Sequence, residues 1–167
     1  MLLIDDPKRK EEFLSALETE VAEIAGAIDV DGSTVSGRAA AVVEKINKVD
    51  ANVQAMMQPY AGYRLVTHHD AFSRFAERYG VEIAEVMRPV DAAEPTPGEI
   101  NAVREALSSG EIRGVFTEPQ YNGRELTRIA SEIGIPIGEL DPLGTGDWGA
   151  MMRSNAEEMV RVFESGG

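Results

Sequence analysis

Apolar residues recur at helical spacing along the leading part of the chain. Phe13, Leu17, Val21, Ile24 and Ile28 fall on one face of a segment from Lys8 to Ile28, and Asp6 with Pro7 suits its start. Val42, Ile46, Val49, Val53 and Met56 make the stripe of a second helix from Ser36 to Met57, which Pro59 and Gly62 end. Between the two, Asp29-Val-Asp-Gly-Ser33 reads as a turn, because its acids do not fall at the spacing of a calcium loop. From Arg64 onward the pattern changes to short apolar runs alternating with helical stripes. The strand-like runs are Leu65–Thr67, Val81–Met87, Gly114–Thr117 and Pro136–Leu140. The helices that follow them are Asp70–Tyr79, a segment from Pro97 to about Ser109, Asn122–Ile133 and Trp148–Glu164, with Gly80 and Gly134 as stops.

Four β–α units in succession imply a parallel sheet with right-handed crossovers and helices on its faces. The expected fold is therefore α/β, a four-stranded parallel sheet sandwiched by helices and preceded by two helices. The change of pattern near Pro59–Gly62 divides residues 1–60, a helical segment, from residues 61–167, the α/β unit.

Composition narrows the function by exclusion. A net charge of -13 makes nucleic acid and anionic membrane poor partners, since both repel such a surface. The absence of cysteine rules out disulfides, thiolate zinc sites and cysteine nucleophiles. The opening MLLIDDPKRK is too short an apolar stretch for a signal peptide or a membrane anchor. Gly144-Thr-Gly-Asp-Trp148 carries glycines but no lysine, so it is not a phosphate-binding loop.

Ligands of an open parallel sheet bind beyond the carboxyl ends of its strands. That rim collects the only two histidines, His68 and His69, after the first strand, Glu94 after the second, Glu118 after the third and Asp141 after the fourth. Imidazole with carboxylate is a donor set for zinc or manganese. Acids after strands also cap helices, and Asp70 is expected to do so. A hydrolase triad of Ser73, His69 and Asp141 is a further alternative, although Ser73 lacks a nucleophile elbow.

The runs Val66-Thr-His-His-Asp-Ala-Phe72, Glu94-Pro-Thr-Pro97, Val115-Phe-Thr-Glu-Pro-Gln120 and Leu140-Asp-Pro-Leu-Gly144 resemble the C-terminal lobe of the zinc/manganese solute-binding proteins of bacterial ABC importers. All four agree in order and spacing, and Met152-Arg-x-Asn155 continues the match. The resemblance covers Arg64 to Phe163, and the Ser36–Met57 helix is similar to the end of the long helix that joins that family's lobes. It implies a helical-backbone metal-receptor lobe in which His69 and Asp141 are metal ligands, and His68 and Glu118 join them as candidate ligands from their places at the strand exits. It also implies a periplasmic or extracellular, membrane-associated setting. The family's other ligands come from an N-terminal lobe and are usually histidines. Here only a helix precedes Ser36, and the histidine-rich loop of zinc members is missing. The expectation is a half-site of two or three ligands, in an excised lobe or a natural short relative, completed by a missing N-terminal lobe or by a homodimer.

The expected function is capture of a divalent transition metal, zinc or manganese, and its delivery to an ABC permease, without enzymatic activity. The alternatives are a metal-free protein–protein interaction domain of the same fold and a small α/β hydrolase.

Overall fold

A computed structural model describes residues 15, 16, 19, 32–88 and 95–166. Of the expected Lys8–Ile28 helix, Ser15, Ala16 and Thr19 are described; they are helical and exposed, and the rest of that segment lies outside the described residues. Two compact units are distinguished, Met1–Asp50 and Ala51–Gly167.

Helix α1 spans Gly32–Met57, so the end of the expected Asp29–Ser33 turn is already helical, and residues 29–31 lie outside the described residues. Its apolar stripe is continuous in period but covered only towards its end. Val49, Val53 and Met57 are buried, whereas Val42 is 57% and Ile46 40% exposed, contrary to the inward position expected of both. A short 3-10 turn, Gln58–Tyr60, follows, with Pro59 near its start.

The second unit then alternates as expected. Its elements are β1 (Arg64–His69), α2 (Ser73–Tyr79), β2 (Glu82–Arg88), α3 (Pro97–Ser108), β3 (Ile112–Thr117), α4 (Arg124–Ile133), β4 (Ile137–Glu139) and α5 (Trp148–Ser165). Helix α2 starts later than expected, and Asp70 is not its cap. Phe72 holds that position with no side-chain hydrogen bond, and the Ser73 hydroxyl donates to the Asp70 carboxylate instead. Side-chain caps sit at α3, where Thr96 and Glu99 form a reciprocal capping box around Pro97, and at α5, where the Asp147 carboxylate accepts from the Ala150 amide. Among the described residues, no helix is long and apolar enough to cross a membrane.

All four strands are parallel, in the order β2-β1-β3-β4. The chain moves one way from β1 to β2 and the other way from β2 through β3 to β4. With right-handed crossovers, α2 therefore lies on the face opposite α3 and α4. Alternation along the strands splits the core accordingly. Val66 and Val115 pack with Met87, Val103, Leu107, Leu126 and Ile129 on the α3–α4 face. On the other face Phe116 meets Phe163 of α5 edge-on at 6.1 Å. Helix α5 comes close there because β3 and β4 present Gly114 and Gly138, where a methyl group would lie within 2.6 and 2.7 Å of Val162.

Candidate functional site

The strand order reverses between β1 and β3, so the loops leaving these two neighbours diverge and open a crevice at the carboxyl edge. In register, Thr67 of β1 stands beside Phe116 of β3. Two residues further along each strand direction come His69 and Glu118, which therefore share a face. His69 Nδ1 lies 3.7 Å from Glu118 Oε2, with the imidazole partly exposed and the carboxylate buried. An imidazole and a carboxylate brought from residues 69 and 118 thus form a pair at the topological switch point.

Tyr121 closes this pair from the side. Its ring centroid is 5.3 Å from that of His69 and 5.7 Å from that of His68. The Arg88 guanidinium, from the end of β2 and in register with His69, lies 5.4 Å over the Tyr121 ring, within cation–π range. His68 is buried at 3% exposure. Alternation turns it towards the sheet face that carries Val66, away from the face that His69 shares with Glu118.

Asp141 follows β4 and is held at both its backbone and its side chain. The buried Asn155 side chain clamps its backbone, accepting from the Asp141 amide at 2.9 Å and donating to the Asp141 carbonyl at 2.9 Å. Its carboxylate Oδ1 accepts from Gln120 Nε2 at 2.6 Å and from the Leu143 amide at 3.0 Å. These donors, the Gln120 amide first, then the Leu143 amide and also that of Gly144, hold the carboxyl below the ordinary aspartate range against the opposing effect of burial.

One turn serves both halves of the rim. Glu118-Pro119-Gln120-Tyr121 is closed by the Tyr121 amide donating to the Glu118 carbonyl at 3.2 Å. It delivers Glu118 to His69 and Gln120 to Asp141. The structure therefore pairs His69 with Glu118 on adjacent strands and places Asp141 beyond the next strand. Among the described residues no three His, Asp or Glu side chains gather closely enough to hold one ion together. Glu94 lies outside the described residues. The Ser73 hydroxyl donates its hydrogen bond to the Asp70 carboxylate, which leaves the hydrolase triad without its first link.

The donor chemistry fits a transition metal in part. Zinc reaches an imidazole nitrogen and a carboxylate oxygen at about 2.0–2.2 Å each, so one ion touches both across up to about 4 Å. The 3.7 Å between His69 and Glu118 falls within that span. Arg88 and Tyr121 are the site residues that sequence reasoning did not name, whereas Gln120 and Asn155 fell within the runs that carry the family resemblance without being given a role. Asn155 had a readable signal, since it falls on the stripe of Met152 and Met159, where a polar residue needs a buried partner. Tyr121 had none beyond its place after a strand.

The imidazole and carboxylates lie along the carboxyl edge, where open parallel α/β sheets bind their ligands. The chain belongs to the family of ZnuA, the periplasmic component A of zinc-uptake complexes, which it matches over residues 6–162. It is 28% identical over 143 residues to the high-affinity zinc uptake system protein ZnuA of Paracoccus denitrificans, covering 84% of this chain and 43% of that protein. The fold is similar to a crystal structure of ZnuA, with a TM-score of 0.70 at 21% identity over 88% of this chain and 55% of that one. It is also similar to FpvC of Pseudomonas aeruginosa in complex with Mn2+, with a TM-score of 0.72 at 19% identity over 92% of this chain and 60% of that one. The chain thus spans about half the length of the proteins it matches.

Proposed function

We propose that residues 61–167 are a metal-receptor lobe that captures zinc or manganese and passes it to an ABC permease, in the periplasm or at the outer face of a membrane. The observation that carries this is the His69–Glu118 pair, two metal-type donors 3.7 Å apart at the switch point of a zinc-uptake family fold. His69 supplies a neutral nitrogen, Glu118 a buried carboxylate oxygen and Asp141 a carboxylate fixed by Gln120 and Asn155. His68 stands behind them, its ring against Tyr121. The role is binding and release, with no reaction catalysed. Ligation needs the neutral ring and ionised acids, so protons compete with the metal and acidification weakens capture.

Two or three protein ligands leave a zinc-like ion with exchangeable positions, which suits a half-site closed by a second surface, either a partner lobe or a second copy. One observation favours a second reading. The described donors do not form a group of three, as a metal-free interaction domain of this fold would also show.

Titration with zinc and with manganese, followed through the single tryptophan, Trp148, separates the two. Saturable binding that His69→Ala weakens at least about tenfold supports capture. Light scattering on the same samples then shows whether the ion is held by a monomer or by a metal-dependent dimer. Binding untouched by His69→Ala replaces capture with the interaction reading.

A further inference from the structure

Independently of metal capture, we infer that the cleft between the carboxyl ends of β3 and β4 and the first turn of α4 binds a small zwitterion of the α-amino-acid class. The cleft has a volume of about 430 Å³, within the range of small-molecule sites. Thr117 and Glu139 in its lining stand in register, two residues beyond the core pair Val115 and Ile137. Alternation therefore puts both on the α3–α4 face of the sheet, opposite the face that holds the His69–Glu118 pair. The two sites share only the Glu118–Tyr121 turn as a common wall.

The charges in the lining select the ligand. Glu118 faces His69, and Arg128 is held by Glu125 and Glu132. Arg124 and Glu139 remain. Among the described residues neither side chain has a hydrogen-bond or ion-pair partner, and they do not pair with each other although both line the cleft. The gap between these opposite charges thus exceeds about 4 Å, the reach of an ion pair. A simple anion entering it meets Glu139 as a like charge, and a simple cation meets Arg124. One molecule carrying a carboxylate and an ammonium satisfies both. The carboxylate end gains further donors, because no side chain caps α4 and its first-turn amides adjoin Arg124. Gly123 brings that turn against the end of β3, since a methyl group there would lie 2.5 Å from Thr117 Cγ2. Pro119 and Tyr121 offer apolar surface to an aliphatic side chain.

The test is titration of the 167-residue chain with L-leucine, followed by the backbone amide resonances of Gly123, Arg124 and Thr127. A chelator keeps metal out, so the result is independent of the capture reading. N-acetyl-L-leucine, which lacks the ammonium, and L-leucinamide, which lacks the carboxylate, are the comparison probes. L-leucine is expected to saturate these resonances with a Kd of about 1 mM or tighter, and each comparison probe to bind about tenfold more weakly. Arg124→Gln and Glu139→Gln, both at exposed positions, are checked for folding by thermal melts. Arg124→Gln is expected to weaken L-leucine about tenfold and leave L-leucinamide unchanged, and Glu139→Gln to weaken L-leucine about tenfold and leave N-acetyl-L-leucine unchanged. No saturable shift with L-leucine, equal affinity for all three probes, or variants that weaken all three alike overturn the inference.

Discussion

At the residue scale the rim is organised by side chains such as Gln120 and Asn155, whose motifs place them but do not state their bonds to Asp141. Histidines and acids at strand exits are visible in any α/β sequence, and His69, Glu118 and Asp141 were legible for that reason. Which of them meet depends on register, and register follows from strand order. The order β2-β1-β3-β4 makes His69 and Glu118 neighbours and sets Asp141 a strand further on. His68 was legible as an imidazole but not as a buried one, because only the pleat decides which of two adjacent side chains faces the crevice. Asp70 misled for a related reason. It sits where a cap belongs, yet the helix starts at Ser73 and Asp70 accepts from that residue's hydroxyl.

The bonds at Asp141 make a prediction about pH. Gln120, Leu143 and Gly144 stabilise the ionised carboxylate, so its native pKa is lowered relative to the unfolded chain. The stability this confers is fully present above the ordinary aspartate value, about 4. It is lost as pH falls through the lowered native value. Urea unfolding is expected to show Asp141→Asn less stable than wild type at neutral pH, with the gap closing as the solution is acidified below about pH 4. A gap that persists unchanged in acid contradicts the assignment of those bonds to the charged form.

At the element scale, period and punctuation were sufficient for most of the chain. Every expected strand is present, and Gly80 and Gly134 end α2 and α4 in left-handed conformation, at φ 79° and 83°, which glycine adopts without steric cost. The exposed half of α1 is where period failed. Val42 and Ile46 keep the same spacing as the buried Val49 and Val53, and spacing carries no information on whether anything covers a face. The closeness of α5 to the sheet was equally hidden. Two glycines within strands look like weak points until the helix above them is seen. Gly138→Ala would bring a methyl group to 2.7 Å from Val162 Cγ2, 2.8 Å from Glu158 Oε1 and 2.9 Å from Phe116 Cε1. Its expected cost is about 1–3 kcal/mol, the range for overpacking a filled core. Chemical denaturation checks it, and an unchanged midpoint contradicts the close approach of α5.

At the scale of the whole molecule, the rim combines with an acidic surface. A net charge of -13 attracts cations from a distance and raises their local concentration near the crevice. The fold and the family were legible in the order of four short runs, because each run marks a strand exit and together they follow the topology of the sheet.

The central claim is that one ion is held at the carboxyl edge between β1 and β3. Crystals grown with zinc and measured on either side of the zinc absorption edge test it most directly. The account predicts an anomalous peak at about 2.0–2.2 Å from a nitrogen of His69 and from a carboxylate oxygen of Glu118 or Asp141. A fully occupied peak elsewhere, with the His69–Glu118 pair still 3.7 Å apart and empty, would contradict it.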